Sequence, residues 1–119
     1  MFKPSLLLGL FLALSPSWVL AQPQPVGFTI SADQWALPRS AREVARLPAV
    51  QAAMKLLNAH PEARLRILYP NGEAGTLWGR ELHDWLVTLG VSSERLQLVP
   101  QVSRSDTVTL IVDTKGSQT

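Results

Sequence analysis

The stretch that decides the fold is ARLRILYPNGEAGTLWGRELHDWLVTLG, from Ala63 to Gly90. In its first part, side chains alternate between the two faces of a strand. Leu65, Ile67 and Tyr69 point to one face, and Arg64, Arg66 and Leu68 point to the other. A period of two is typical of a β-strand. Pro70-Asn71-Gly72 then has the composition of a turn.

The second part of the stretch has the period of a helix. Its apolar residues are spaced four, three and four apart and form one stripe, which consists of Trp78, Leu82, Trp85 and Leu89. We expect Thr76 to be the N-cap and Gly90 to end the helix. A strand, a turn and an amphipathic helix make half of an α/β unit, and the rest of the chain is interpreted around it.

The first 21 residues have the pattern of a signal peptide. Lys3 precedes an apolar run over residues 5–14, and Val19-Leu20-Ala21 satisfies the small-residue rule for cleavage. The run is short for an uncleaved membrane anchor, which needs about 20 apolar residues, and no cysteine follows it to carry a lipid. We therefore expect cleavage after Ala21, export to a bacterial periplasm and no stable membrane span in the mature chain.

Composition removes several classes of function. Once Lys3 is cleaved, ten basic residues face nine acidic ones, so there is no cationic surface for nucleic acid. The chain has no cysteine, which excludes thiol nucleophiles, thiolate metal sites and redox motifs. The exported part is one domain that depends on packing alone.

The remaining segments supply further elements around the central stretch. Residues 22–25 are a flexible, proline-rich lead, and 26–31 alternate as a first strand. Residues 32–39 are predicted to be an irregular connection anchored by Trp35. Ser40 to Glu43 has the pattern of a capping box, so we expect a short helix over 41–46. Pro48 then begins a longer helix that ends near Ala59, and its predicted buried stripe is Val50, Ala53, Met54 and Leu57.

Two strands complete the predicted domain. Leu96, Leu98 and Pro100 alternate with Gln97 and Val99, residues 100–106 form a polar loop, and Thr107 to Asp113 alternates again. The order β-α-β-α-β-β, with right-handed crossovers, predicts an α+β two-layer sandwich with both helices on one face of a mixed sheet. The domain spans 26–113, and 114–119 is a polar tail.

This order resembles the OmpA-like, peptidoglycan-associated domain over about 85 residues, from Phe28 to Asp113. Two short motifs carry the resemblance. The first runs from His60-Pro61, after the first long helix, to Ile67 in the following strand. The second is the Leu86–Val91 segment at the end of the second long helix, followed by Ser93-Glu94-Arg95-Leu96. The resemblance implies the same sandwich and a role in the bacterial cell envelope. Small murein-binding SPOR-like domains are an alternative fold, but the long first helix and the Pro61 step match the OmpA-like family better.

The ligand motif of that family is missing. Its Gly-His-Thr-Asp turn uses the Asp to hold the ammonium of diaminopimelate, and this chain has Tyr69-Pro70-Asn71-Gly72 at the turn. Trp78 stands where the family's helix arginine is expected, and Arg80 follows two positions later. Because charge-assisted pairing makes such capture strong, the resemblance implies a degenerate member without the standard ligand site.

No pattern in the sequence indicates an enzyme or a metal centre. His83 and Asp84 are neighbours on the predicted helix, where adjacent side chains diverge by about 100°, and His60 is the other histidine. There is no Gly-x-Ser-x-Gly elbow and no phosphate-binding loop. An exported hydrolase, with a pocket around His83 or His60, is the weakest hypothesis, and we expect no cofactor.

Two groups of residues are candidates for binding. Arg64, Arg66 and Arg80 can form an anion site or be ordinary solvated arginines. Trp35 and Trp78 can belong to the core or, where part-exposed, act as interface anchors or sugar platforms.

We expect a non-catalytic envelope module that contacts a protein partner through the turn Tyr69–Gly75, with Tyr69, Asn71 and Gly72 as its candidate residues, together with Trp78 and Arg80. The alternative is a peptidoglycan-binding domain that uses Arg64, Arg66 or Arg80 for stem-peptide carboxylates.

Overall fold

The computed structural model describes residues 25–36 and 40–114. The predicted signal peptide, most of the lead and the tail beyond Thr114 lie outside the described residues. No helix within the described ranges combines the length and the apolar character needed to cross a membrane. The elements in these ranges, in chain order, are β1 (Val26–Ser31), α1 (Ala32–Trp35), α2 (Ala41–Arg46), α3 (Pro48–Ala59), β2 (Arg64–Pro70), α4 (Glu73–Thr88), a 3-10 turn (Ser93–Arg95), β3 (Leu96–Gln101) and β4 (Thr107–Asp113).

The strands of the described residues form one mixed sheet in the order β1-β4-β2-β3. β4 lies between β1 and β2 and runs antiparallel to both. β2 and β3 are parallel and are connected through α4. The predicted α+β class, order of elements and mixed sheet are confirmed.

Both long helices cover the same face of this sheet. The pairs Leu65–Val112, Ile67–Leu110 and Ile30–Val108 lie opposite one another, and all six side chains are fully buried. Directly opposite residues share a face, because side chains alternate along each strand. Buried side chains of α3 and α4 belong to the same apolar cluster. The predicted two-layer sandwich is therefore confirmed, and β2 turns Arg64, Arg66 and Leu68 toward the other face.

Local sequence signals set several element boundaries correctly. The Oγ of Ser40 accepts a hydrogen bond from the backbone N–H of Glu43 and caps α2. Pro48 begins α3, and β4 spans the predicted residues. The buried stripe of α3 differs slightly from the prediction, because Ala49 is buried and Met54 is only half-buried. Pro100 and Gln101 extend β3 into the predicted loop.

The prediction of an irregular connection after β1 was wrong for its first residues. Residues 32–35 form the one-turn helix α1. Its N-terminus carries a reciprocal capping box, in which the Ser31 side chain accepts from the N–H of Gln34 and the Gln34 side chain accepts from the N–H of Ser31. The Ser-x-x-Gln spacing that predicts such a box was present in the sequence. Trp35 is buried, as expected of an apolar anchor.

The predicted start of α4 was also wrong. The helix begins at Glu73 and not after Thr76, and its N-cap is Gly72. Gly72 has φ +106°, a conformation that glycine adopts without strain, so the chain turns there and enters the helix at once. Thr76 lies in the first turn, where its Oγ1 donates a hydrogen bond to the Gly72 carbonyl at 2.6 Å.

The buried face of α4 also differs from the predicted stripe, because two glycines of the helix lie against β2. The residues that are buried are Gly75, Trp78, Gly79, Leu82 and Leu86. Trp85 and Leu89 belong to the predicted stripe but are only half-buried. The helix does end as predicted at Gly90, which has φ +112°. The N–H of Gly90 donates a hydrogen bond to the Val87 carbonyl, and the N–H of Val91 donates one to the Leu86 carbonyl. Together these two bonds form a complete Schellman motif.

A cleft at the start of α4

The turn between β2 and α4 is held firmly by its neighbours. The N–H of Asn71 donates to the Gln101 carbonyl at 2.9 Å, which joins the turn to the end of β3. The Gln101 side-chain amide donates to the carbonyls of Leu68 at 3.2 Å and Thr107 at 3.1 Å. The Asn71 Oδ1 accepts from the N–H of Gly72 at 3.1 Å. These bonds fix the position from which α4 leaves the sheet.

Two glycines bring the first half of α4 very close to β2. A Cβ on Gly75 would overlap the carbonyl oxygen of Pro70, and a Cβ on Gly79 would lie 2.8 Å from the ring of Tyr69. Both glycines therefore have a packing role that no larger residue can fill without a shift of the helix. Tyr69, predicted to be a binding residue, is half-buried and packs beneath α4.

A solvent-open cleft of about 770 Å³ lies where α4 starts. We call it the α4 cleft, and it is lined by Asn71, Gly72, Glu73, Ala74, Thr76, Leu77 and Arg80. Three of the predicted site residues, Asn71, Gly72 and Arg80, are therefore brought together here. Tyr69 and Trp78 do not belong to its lining.

The most unusual side chain of the α4 cleft is Leu77, which is 60% exposed. It lies between Glu73 and Arg80 on one stripe of the helix, because these positions are four and three residues apart. Both charged residues are exposed. An acidic residue in the first turn also interacts favourably with the helix dipole. The cleft thus presents one apolar side chain flanked by charges of opposite sign.

The sequence left open whether Trp35 and Trp78 are core or interface residues, and the structure places both in the core. Each retains only 8% of its accessible surface, and their rings stack with centroids 6.2 Å apart and planes inclined by 27°. Trp78 faces inward because it shares the buried side of α4 with Gly75, Gly79 and Leu82. Its Nε1 is buried without a hydrogen-bond partner in the described structure. The two tryptophans stabilise the core and are not surface anchors.

The arginines of the sequence prediction do not form one site. Arg64 and Arg66 lie on the face of β2 that is turned away from the helices, whereas Arg80 lies on α4. Arg64 is exposed and its Nη1 donates to the Glu94 carbonyl at 3.5 Å, a long contact. Arg66 lies opposite Ile111 and Gln97 in the sheet. A carboxylate cannot be shared by all three.

Of the two histidines, His60 is exposed and His83 is half-buried. His83 Nδ1 lies 3.2 Å from Asp84 Oδ1, so these adjacent side chains do meet, contrary to the prediction that they diverge. Their rotamers turn toward each other on the surface of α4, with 82% of the Asp84 side chain exposed. Among the described residues, no group of three or more histidine and acidic side chains is placed to hold a metal ion.

One residue of the α4 cleft, and one residue that stabilises the fold away from the cleft, were missed in the sequence. Leu77 was not considered because the predicted stripe began at Trp78. Its exposure follows from a helix that starts at Glu73 and turns its glycines to the sheet. Arg95 was noted only as part of a motif, and its guanidinium donates to the carbonyls of Leu57, His60 and Ala63.

Comparison with known proteins adds no identification. The chain matches no protein-family model, and none of the curated proteins is significantly similar to it in sequence.

Proposed function

We propose that this chain is a non-catalytic binding or assembly module of the bacterial cell envelope, and that it docks a protein partner through the α4 cleft. The observation that carries the proposal is the exposure of Leu77 between Glu73 and Arg80. Protein interfaces combine a few apolar or arginine anchors with a polar rim. Leu77 and Arg80 supply such anchors, and Asn71 and Glu73 supply part of the rim.

The rigidity of the α4 cleft supports a docking role. The turn is bonded to β3 through Asn71 and Gln101, and α4 is packed against β2 through Gly75 and Gly79. A preformed surface loses little conformational entropy when a partner binds. A partner therefore binds the α4 cleft with little loss of conformational entropy, even though the apolar area of the cleft is small.

The OmpA-like resemblance remains part of the proposal. The β-α-β-α-β-β order and the placement of both helices on one face support it. Gly72 occupies the turn position at which the family has its ligand-binding Asp, and Trp78, at the position of the helix arginine, is buried. We propose that this scaffold has exchanged the ammonium-binding site for a docking surface.

Export is proposed from the sequence of residues 1–21. The basic start, the apolar run and the Val19-Leu20-Ala21 site support a cleaved signal peptide and a periplasmic location. The expected mature chain begins at Gln22, and the N-terminal sequence of the protein recovered from the periplasm tests this directly.

Differential capture tests the docking proposal. The tagged protein and a Leu77→Ser, Arg80→Ala double variant are used to isolate partners from an envelope extract. A Val87→Ser variant is the matched control, since Val87 is an exposed apolar residue on the same helix. We expect a protein that is retained by wild type and control and lost by the double variant. Equal retention by all three would place the docking surface elsewhere.

Peptidoglycan binding is the alternative that needs a separate measurement. Arg64 and Arg66 lie apart from Arg80, so the arginines do not favour a single site for stem-peptide carboxylates. Sedimentation of the purified protein with isolated sacculi at low salt distinguishes the two functions. We expect the protein to stay in the supernatant, and pelleting that is lost in an Arg64→Ala, Arg66→Ala variant would support the alternative.

A further inference from the structure

β1 forms one edge of the sheet. Among the described strands only β4 pairs with it, and the other edge is β3. An edge strand presents unpaired N–H and C=O groups, and proteins usually protect such edges with prolines, charges or bulges. β3 contains Pro100, which has no N–H to offer a new strand.

β1 has none of these protections. Its sequence is VGFTIS, without a charge or a proline. Its residues on the helix-covered face are Val26, Phe28 and Ile30, and burial falls along the strand from the fully buried Ile30 to Val26, which is 39% exposed. An apolar row therefore runs along the edge strand, from the buried Ile30 to the partly exposed Val26 at the start of the strand.

We propose that β1 pairs with β1 of a second copy of this chain, antiparallel, with Phe28 opposite Phe28 of the other copy. This register is self-complementary, because it places Val26 opposite Ile30 and Gly27 opposite Thr29. On the helix-covered face Phe28 then meets Phe28, and Val26 of each copy lies beside the strand end that holds the covered Ile30. On the other face the exposed Gly27 and Thr29 meet. The strand carries no charge, so the pairing opposes no like charges.

The pairing has a defined consequence for the assembly. A two-fold axis perpendicular to the sheet relates the copies and keeps the apolar row of both strands on one face, so the two sheets become one continuous sheet. The helices of both copies then lie on the same side, and so do the two α4 clefts. Stable interfaces bury about 1,200 Å² or more, and a pairing of six-residue strands is smaller, so the dimer is weak and depends on concentration.

Sedimentation velocity over a range of concentrations tests the association. We expect the purified protein to shift from monomer to dimer as its concentration rises through the micromolar range. A Val26→Lys variant is expected to raise the dissociation constant at least about tenfold, because it ends the apolar row in a charge. Val102→Lys is the control, since Val102 is 85% exposed in the loop before β4.

Cysteine pairing tests the register in a chain that has no cysteine of its own. Gly27 and Thr29 are both exposed, and a Cβ at Gly27 meets only ordinary contacts. An equimolar mixture of Gly27→Cys and Thr29→Cys chains is expected to form a disulfide-linked heterodimer under mild oxidation. Either variant alone is expected to cross-link poorly, because the two thiols then lie two residues out of register and too far apart for a disulfide.

Three outcomes would overturn the inference. The first is a monomer at every concentration. The second is a dimer that Val26→Lys and Val102→Lys affect equally. The third is that a Gln97→Cys variant cross-links, whereas the mixture of Gly27→Cys and Thr29→Cys chains does not. That result would mean that the chains pair through β3, the other edge of the sheet.

Discussion

At the scale of single residues, Arg95 links the end of α3 to the segment that precedes β2. Its Nη2 donates to the carbonyls of Leu57 at 3.0 Å and His60 at 2.8 Å, and its Nε donates to that of Ala63 at 2.8 Å. The Leu57 carbonyl belongs to the last turn of α3, where carbonyls have no partner inside the helix. A cation at this end also interacts favourably with the helix dipole.

Replacing Arg95 with methionine should destabilise the protein by about 2 kcal/mol, because three carbonyls lose a charged donor in a partly buried site. The free energy of unfolding, from urea titration, measures this. Arg42→Met is the control, since Arg42 is exposed on α2, and it should change stability by less than about 0.5 kcal/mol. Lysine at position 95 should recover only part of the loss, because an ammonium cannot reach all three carbonyls. Equal effects at positions 95 and 42 would contradict this role.

Residue contacts were the least predictable part of the molecule. The partners of Arg95 lie 32 to 38 positions earlier in the chain, and no local pattern reports such a distance. The stacking of Trp35 on Trp78 is equally non-local, which is why exposure of these rings was considered possible from the sequence. The cap at Ser40 was predictable because a cap and its partner lie three residues apart, whereas the cap at Ser31 was missed and the one at Thr76 was wrong.

At the scale of elements, α4 is organised by its two glycines. Gly75 and Gly79 face β2 and allow the helix to approach the strand more closely than any side chain would permit. Since they occupy the buried side, Leu77 is turned to solvent and Trp78 to the core. The turn, the helix start and the α4 cleft are therefore consequences of one packing arrangement.

A Gly75→Ala substitution should destabilise the protein by about 2–3 kcal/mol, because the new methyl group overlaps the Pro70 carbonyl and forces the helix outward. Thermal and urea unfolding, at a concentration where the protein is monomeric, measure this. Gly27→Ala is the matched control, since a Cβ has room there, and it should be neutral or slightly stabilising. If Gly75→Ala were tolerated as well as Gly27→Ala, the close approach of α4 to β2 would be wrong.

Most elements could be predicted from the sequence because each carries its own period and boundary residues. Pro48, Gly90 and the alternation from Thr107 to Asp113 set boundaries that the structure confirms. The rotation of α4 could not be predicted in the same way. The large apolar residues Trp85 and Leu89 dominate its pattern, whereas contact with the strand is made through glycines, which contribute nothing to an apolar period.

At the scale of the whole molecule, the fold separates two surfaces. The helices cover one face of the sheet and carry the α4 cleft, while Arg66, Leu68 and Ile111 lie on the other face, partly exposed. The fold class was predictable from the order of elements. The division of the three arginines between the two surfaces required the register of the strands, and it is the main reason for preferring protein docking to stem-peptide capture.

The α4 cleft as a docking surface is tested most directly by site-specific photo-crosslinking in the producing cell. A photoreactive phenylalanine analogue is placed at Ala74, which lines the α4 cleft, or at Thr88, an exposed position at the far end of the same helix. We predict a discrete adduct with one other protein from position 74 and none from position 88. An adduct from position 88 alone, or no adduct from either position, would contradict the proposed docking surface.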